Sequence, residues 1–283
     1  MYFNGKYFVV DFSGSPDGEY DIYESSNGID YVWMRTVEAQ APSLNVLNGR
    51  VIIREGEDGC GSTLSYSEDG SNWTSVIVDC QSHDILYGNG IYFLCPMWTA
   101  NPYGLGKYST DLETWTDIDF SDRGENLSIT CVFADGKFIM YYSNGYAETS
   151  TDAVNWTPTS YSGMSNVPYH IKYDNGIFVA TLDNKVAYST DGFAWNEVSV
   201  SGVNEVSELL SGGGEFVVVY NRYDQVLTYH LCAAHSKDGI NWTTMSIYTG
   251  NPSYNACFTG DEFCVLWERH SLPNGFATYT PGS

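Results

Sequence analysis

The chain contains the turn Ser67-Glu68-Asp69-Gly70-Ser71-Asn72-Trp73, in which an aspartate follows a serine by two residues and an aromatic follows the aspartate by four. The successive aromatics of the repeated turn are 42, 42, 41, 39 and 47 residues apart. A period near forty residues is typical of a repeated four-stranded unit. The turn recurs six times, with Asn27 replacing the aspartate in the first copy, at 25–31, 67–73, 109–115, 150–156, 189–195 and 236–242.

A second turn repeats in phase with the first and is followed by a short apolar or aromatic run. Such turns tolerate the positive φ angles of a tight hairpin, and the runs after them are typical of β-strands. Seven hairpins are therefore predicted, with their turns at Asn4-Gly5, Asn48-Gly49, Asn89-Gly90, Asp135-Gly136, Asn175-Gly176, Gly213-Gly214 and Gly260-Asp261.

Four short antiparallel strands in each unit predict an all-β fold, a β-propeller of seven blades. We name the strands of a blade A to D, with the hairpin turn between A and B and the Ser-x-Asp turn between C and D. The chain is expected to form a single propeller domain over 1–283, cut from a longer polypeptide, with the last blade incomplete; six blades plus an extension is the alternative. Approximate blade limits are 1–40, 41–80, 81–122, 123–164, 165–202, 203–250 and 251–283.

The Ser-x-Asp turn has a physical role of its own. The serine hydroxyl and the aspartate carboxylate can accept hydrogen bonds from backbone N–H groups inside the turn. The aromatic then lies where a large flat side chain can fill the wedge between blades. Leu112 and Ala153 stand where the other copies have glycine, so a left-handed residue is not expected to be obligatory there.

The repeated turn resembles the Asp-box of sialidase-like (BNR-type) propellers. Together with the hairpin pattern, as at Tyr188 to Trp195, it is similar to repeats in propeller domains of phage tail fibres and bacterial surface proteins. The family's box has one more residue between the aspartate and the aromatic, so this chain departs from it by a deletion. The resemblance implies the propeller architecture over nearly the whole chain and does not carry an activity with it.

The amino-acid composition bears on whether the protein binds nucleic acid, inserts into a membrane or holds a cofactor. The net charge is −23, from 35 carboxylates and 12 lysines and arginines, which argues against a nucleic-acid ligand. No apolar stretch is long enough for membrane insertion, and no signal peptide is visible. No cofactor is expected; Ca²⁺ is an alternative at the acidic clusters 17–21 and 55–58, whose spacing differs from a dedicated calcium loop.

Seven cysteines cannot all pair within one chain. Cys131, Cys257 and Cys264 lie in predicted strands, where free cysteine behaves as a small buried apolar residue. Reduced thiols fit a protein made in a cytosol, as virion proteins are. A bridge between Cys80 and Cys95 is the alternative.

Binding is expected on one face of the ring. The A–B and C–D turns are short and uniform, whereas the B–C and D–A loops on the opposite face, here called the loop face, vary in length and sequence. Aromatic rings beside Asn, Asp and Arg suit a sugar, whose C–H face stacks while its hydroxyls hydrogen bond. The predicted ligand-binding residues are Trp98, Asn101, Tyr103, His83, Arg54, Arg222, Tyr223, Asp224, Arg269 and His170.

Enzymatic activity is the alternative to recognition. A sialidase needs an arginine triad, a Tyr/Glu nucleophile pair and an acid/base aspartate. Arg54, Arg222 and Arg269 fall at comparable ends of strand B in three blades, but the family's Arg-Ile-Pro signature is absent, and no catalytic residue is assigned.

The sequence therefore predicts a non-enzymatic module that binds a cell-surface glycan or protein receptor. Its expected setting is host attachment on a phage tail (virion) or an extracellular bacterial surface. A glycoside hydrolase of the sialidase-like class and a structural docking platform are the two alternatives.

Overall fold

The computed structural model of the chain describes residues 1–11, 19–38, 43–56, 62–78, 82–96, 99, 105–124, 127–203, 205–223, 228–250, 253–268 and 273–282. Within these residues it contains 27 β-strands and one short 3-10 helix, Ser121–Arg123. The strands form seven antiparallel sheets that follow one another along the chain. The predicted seven-bladed propeller is confirmed, and six sheets have four strands while the seventh has three.

The strands of the first three blades are β1 (Tyr2–Phe3), β2 (Lys6–Asp11), β3 (Glu19–Ser25) and β4 (Val32–Glu38); β5 (Ser43–Leu47), β6 (Arg50–Gly56), β7 (Ser62–Ser67) and β8 (Thr74–Val78); and β9 (Ser82–Gly88), β10 (Ile91–Pro96), β11 (Leu105–Ser109) and β12 (Thr116–Asp119). Those of the fourth and fifth blades are β13 (Ile129–Ala134), β14 (Lys137–Tyr142), β15 (Tyr146–Ser150) and β16 (Thr157–Ser160); and β17 (His170–Asp174), β18 (Ile177–Thr181), β19 (Val186–Ser189) and β20 (Asn196–Val198). The last two blades contain β21 (Glu205–Gly212), β22 (Glu215–Tyr223), β23 (Tyr229–Ser236) and β24 (Thr243–Thr249); and β25 (Ser253–Phe258), β26 (Phe263–Glu268) and β27 (Pro273–Tyr279).

The Ser-x-Asp turn closes as the sequence predicts. In the second blade the hydroxyl of Ser67 accepts the N–H groups of Asp69 and Gly70 at 3.3 and 2.8 Å. The Oδ1 atom of Asp69 accepts those of Ser71 and Asn72 at 2.8 and 2.7 Å. Equivalent serine and aspartate bonds recur in the third and sixth blades. Four backbone donors that a tight turn leaves unpaired are thus satisfied locally.

The expectation that the fourth turn position needs no left-handed residue is wrong. Leu112 and Ala153 have φ angles of 72° and 58°, in the same region as glycines such as Gly70 at 76°. The turn geometry imposes the left-handed backbone whatever the side chain. Both residues are fully buried, so packing compensates a conformation that costs L-residues about 1–2 kcal/mol.

The aromatic of each turn packs on the blade before it. Trp73 lies 6.4 Å from Phe8 of the first blade, and Trp156 lies 5.4 Å from Phe93 of the third, measured between ring centroids. Tyr31, the aromatic of the first blade, lies beside Cys257 of the seventh blade, and burial raises its pKa. The first blade therefore packs against the last and closes the ring.

One cysteine prediction is wrong. Cys95 of β10 forms a disulfide with Cys131 of β13, linking the third blade to the fourth. Cys131 is therefore not a free thiol and Cys95 does not pair with Cys80, a residue outside the described part of the chain. Cys257 and Cys264 are free and buried, as predicted.

Candidate functional site in the central channel

Strand A is the innermost strand of each blade, and the A strands of all blades except the fourth contribute residues to a central cavity of about 570 Å³. Five of these strands place an equivalent residue at one height, four residues before the last pair of the A–B hairpin. These five residues, here called the channel ring, are Ser43, Asp84, Thr130, His170 and Glu208. All except Thr130 are among the residues that line the cavity.

The channel ring lies toward the loop face. Strand A runs from the D–A loop to the A–B turn, and both Ser43 and His170 are the first residues of their strands. Next to His170, the side chain of Tyr169 is 50% exposed, and its hydroxyl donates to Asp183 at 2.5 Å. A half-exposed aromatic side chain thus directly precedes the channel residue His170, although Tyr169 is not among the residues that line the cavity.

Lys172 forms the next layer of the channel. It follows His170 by two residues on β17, so it lies on the same side of the strand, and it also lines the cavity. Asn45 is its equivalent on β5, while Leu210 and Cys257 hold that height on β21 and β25. A polar layer near the mouth is therefore followed by a mixed layer with one cation.

The surroundings of Glu208 in the channel raise the pKa of its carboxyl group. Burial raises the pKa of Glu208 above its ordinary value, the charge of Asp84 raises it further, and Lys172 opposes both. Desolvation disfavours the ionised form of a carboxyl in this way. Glu208 therefore keeps its proton to a higher pH than an exposed glutamate does, while Asp84 accepts a hydrogen bond from the N–H group of Ile85 at 2.8 Å. The channel offers two carboxyl groups, an imidazole and an amine within one cavity.

The structure brings two predicted site residues to the channel ring. His170 is a member of it, and Arg54 is the cross-strand partner of Ser43 on β6. The Nε atom of Arg54 donates to the hydroxyl of Ser43 at 3.3 Å. Arg54 is thus a second cationic group beside the ring, supported by a ring residue.

Arg222 lies elsewhere. Its place on β22 is three residues beyond Val219, the equivalent of Arg54 in the sixth blade. Its side chain packs over Gly202, with the Cδ atom 3.1 Å from the position that a Cβ atom would occupy there. The structure therefore does not bring Arg54 and Arg222 to one height, as an arginine cluster of the sialidase type requires.

The remaining predicted residues have no described side chain. The backbones of His83 and Tyr223 lie in β9 and β22. Trp98, Asn101, Tyr103, Asp224 and Arg269 lie outside the described residues, as do residues 17, 18, 57 and 58 of the two acidic clusters considered for Ca²⁺. Among the residues that the structure describes, no group of three or more His, Cys, Asp or Glu could hold a metal ion.

Sequence reasoning missed Asp84, Lys172 and Glu208 as site residues. Aligning the seven units on the A–B turn would have placed Asp84 and Glu208 at the height of His170. The position of these residues relative to the A–B turn was therefore visible in the sequence, whereas the predicted site residues were chosen mainly from the long loops.

A second, more open pocket of about 430 Å³ lies on the loop face between the third and fourth blades. Its centre is the buried carboxylate of Glu148, which accepts hydrogen bonds from Tyr142 at 2.7 Å and from Arg123 at 3.4 Å. Arg123 also stacks on Phe120 and pairs with Asp122. Because its arginine is neutralised by two carboxylates, this pocket has no cation left for an anionic ligand.

Comparisons with solved structures agree on the fold. A streptogramin B lyase has a TM-score of 0.64 at 14% identity, over 94% of this chain and 96% of that one. A catalytically inactive virginiamycin B lyase from Staphylococcus aureus, solved with quinupristin, has a TM-score of 0.62 at 13% identity, over 93% and 96%. The CNH domain of AfRom2 has a TM-score of 0.52 at 12% identity, over 86% and 81%. At these identities the likeness shows the propeller fold alone.

No protein-family model matches the sequence, and no curated protein matches it. In the part of the chain that the structure describes, no helix is long and apolar enough to cross a membrane. Any function must therefore be argued from the channel itself.

Proposed function

We propose that this propeller is a non-enzymatic recognition module that binds a glycan at the loop-face mouth of its central channel. The observation that carries the proposal is the channel ring, in which Asp84, His170 and Glu208 share one height on three separate blades. Sugar hydroxyls need donors and acceptors on several sides, and a ring of blades supplies them. The cavity of about 570 Å³ is within the range of roughly 300–1,000 Å³ of small-ligand sites.

Two further features of the fifth blade, Tyr169 and Lys172, support a sugar ligand. The half-exposed ring of Tyr169 can stack on the C–H face of a pyranose. Lys172 lies below in a protein of net charge −23, so the channel contains a local cation in a negative field. Neutral sugars and sugars with a single carboxylate both fit this balance.

The experiment is a glycan array followed by calorimetry on the strongest hit. His170→Ala and Glu208→Ala should each weaken binding about tenfold or more, as expected for loss of a buried hydrogen bond to a ligand. Lys137→Ala, an exposed change at an A–B turn on the opposite face, is the matched control and should leave affinity unchanged. Equal affinity of all three variants would place binding away from the channel.

The biological setting that we propose is host attachment, as a receptor-binding domain of a phage tail or a bacterial surface protein. It is supported by the resemblance of the repeated turns to propellers of such proteins and by the absence of a recognisable catalytic set in the sequence. Fluorescently labelled protein should bind intact cells, and the free glycan should compete. Binding that only protease treatment of the cells removes would identify a protein receptor instead.

Acid–base catalysis is the second candidate function, and the environment of Glu208 favours it. A carboxyl group with a raised pKa, in one cavity with an amine and an imidazole, is typical of a general acid. The two lyases with the same fold suggest quinupristin as one substrate to try, and aryl glycosides test the hydrolase alternative. If the wild type turns over a substrate, and Glu208→Gln binds that substrate but does not turn it over, the protein is an enzyme and not a recognition module.

A further inference from the structure

The seventh blade contains two free cysteines that lie directly opposite each other. Cys257 of β25 and Cys264 of β26 are cross-strand partners, both are buried thiols, and they hydrogen bond to each other. Opposite residues of an antiparallel pair have Cα atoms about 4.5–5.5 Å apart, and disulfides span Cα distances of about 4.4–6.8 Å. The strand register therefore permits a disulfide between them without a shift of either strand.

The two thiols differ in access. Cys257 lies on the innermost strand of its blade and is one of the residues that line the central cavity. Cys264 lies on the strand behind it, is 0% exposed and does not line the cavity. The cavity of about 570 Å³ is large enough for a small organic molecule. A reagent that enters the channel therefore reaches Cys257 first, and Cys264 only through Cys257.

The cysteine on β26 departs from the packing of the repeat. Cys264 lies two residues after Glu262, which closes the A–B hairpin of its blade. Free cysteine can fill such a place as a small buried apolar residue, yet the other blades fill it with larger side chains. The equivalent residues are Phe8, Ile52, Phe93, Ile139, Val179 and Val217. Packing therefore does not account for a thiol at this position, directly behind a second one.

The surroundings of the two thiols give them different roles. The hydrogen bond from Cys264 lowers the pKa of Cys257, whereas that bond and burial raise the pKa of Cys264. Tyr7 of the first blade also hydrogen bonds to Cys264 and opposes this rise. Because the thiolate is the attacking form of cysteine, Cys257 is the better first nucleophile. Cys264 is placed to react second.

We infer that Cys257 and Cys264 form a redox site that exchanges with a low-molecular-weight disulfide entering through the central channel. The Cys257 thiolate attacks one sulfur of the small disulfide, forms a mixed disulfide and releases one small thiol. The Cys264 thiolate then attacks the Sγ atom of Cys257 and releases the second. Two protein thiols are thereby oxidised to a disulfide, the small disulfide is reduced to two thiols, and the cysteine protons pass to those thiols.

The test uses the full chain with Cys60→Ser and Cys80→Ser, treated with bis(2-hydroxyethyl) disulfide and mapped by mass spectrometry of peptides. We expect a disulfide between Cys257 and Cys264 that a reductant reverses. With Cys264→Ser the reaction should stop at a mixed disulfide on Cys257. With Cys257→Ser, Cys264 should react at least about tenfold more slowly, because a buried thiol is inert.

Two controls accompany these variants. Cys232→Ser removes another free, buried cysteine, on β23 of the sixth blade, and should leave the reaction of Cys257 and Cys264 unchanged. A disulfide attached to a large polymer has the same chemistry but does not fit the cavity, so it should react at least about tenfold more slowly. Circular dichroism checks that each variant is folded, and alanine replaces serine where it is not.

Several outcomes would overturn the inference. They are folded protein that keeps both thiols, a mixed disulfide on Cys257 that persists although Cys264 is present, and reaction of Cys264 at an undiminished rate in Cys257→Ser. Equal rates with the small and the polymer-attached disulfide would show that the channel is not the route. Each result is read from the cysteines alone, so none of them depends on whether the channel binds a glycan.

Discussion

The fourth residue of the Ser-x-Asp turn keeps a left-handed backbone even where the chain has no glycine. Gly70 has no room for a side chain, since a Cβ atom there would lie 2.9 Å from the Phe8 ring. Leu112 and Ala153 accept the same backbone and pack in the cores of their seams. The hydrogen bonds of the serine and the aspartate therefore determine the turn, and each seam determines which side chain fits it.

Glycine substitution should separate strain from packing at this position. Ala153→Gly should change the free energy of unfolding by less than about 0.5 kcal/mol, because relief of strain is offset by the lost methyl and a more flexible unfolded chain. Leu112→Gly should destabilise by about 2–3 kcal/mol, because loss of a buried leucine exceeds the relief. Urea titration measures both, and equal effects would contradict this balance.

The turn carboxylate makes a second residue-scale prediction. Burial alone would raise the pKa of Asp238, but hydrogen bonds from the N–H groups of Asn241 and Ile240 and from the Asn241 side chain lower it to about 2. Asp238→Ala should destabilise the protein by about 1–2 kcal/mol at pH 7. Asp238→Asn should cost less, since Asn27 accepts the same two N–H groups in the first turn at 2.9 and 2.8 Å.

The pH dependence of stability distinguishes the wild type, which has the turn carboxylate, from Asp238→Asn, which lacks its charge. A lowered folded-state pKa adds stability that is complete above the unfolded-state value near 4 and is lost as the pH falls toward 2. The difference between wild type and Asp238→Asn should therefore shrink between pH 5 and pH 2. A difference that stays constant over this range would mean that the carboxylate charge contributes nothing.

At the scale of the elements, the repeat made the blades predictable. Each hairpin turn and each Ser-x-Asp turn marks a strand boundary locally, so strand order follows from the order of the turns. The channel ring was not predicted, because His170 on β17 and Glu208 on β21 become neighbours only when the strand registers of separate blades are compared. The disulfide was missed for the same reason, since Cys95 and Cys131 are 36 residues apart and belong to different blades.

The disulfide should stabilise the junction between the third and fourth blades. Chain entropy gives about 3–4 kcal/mol for a crosslink that closes 36 residues, although native strain often reduces such values. The double variant Cys95→Ala/Cys131→Ala should lower the unfolding free energy by about this amount. Reduction of the wild type should have the same effect, and reduction of the double variant should have none. Thermal melts with and without a phosphine reductant measure this.

Charge acts at the scale of the whole molecule. A net charge of −23 disfavours the compact state through self-repulsion, yet the turn carboxylates are individually stabilised by the fold. Hydrogen bonds from backbone N–H groups lower the pKa of Asp111 and Asp191, as they do for Asp69 and Asp152. Protonation therefore relieves the repulsion but removes the hydrogen-bonded anions that hold the C–D turns.

The turn carboxylates should dominate below pH 4. Because their folded-state pKa values are lower than the unfolded ones, the unfolded chain binds more protons there and stability falls as the pH falls. We expect the unfolding free energy to decrease steadily from pH 4 to pH 2, with several protons taken up on unfolding. Urea titrations at each pH give the unfolding free energy, and its slope against pH gives the number of protons taken up. Asp238→Asn should show a shallower slope. A molecule governed by self-repulsion would instead become more stable as acid neutralises it.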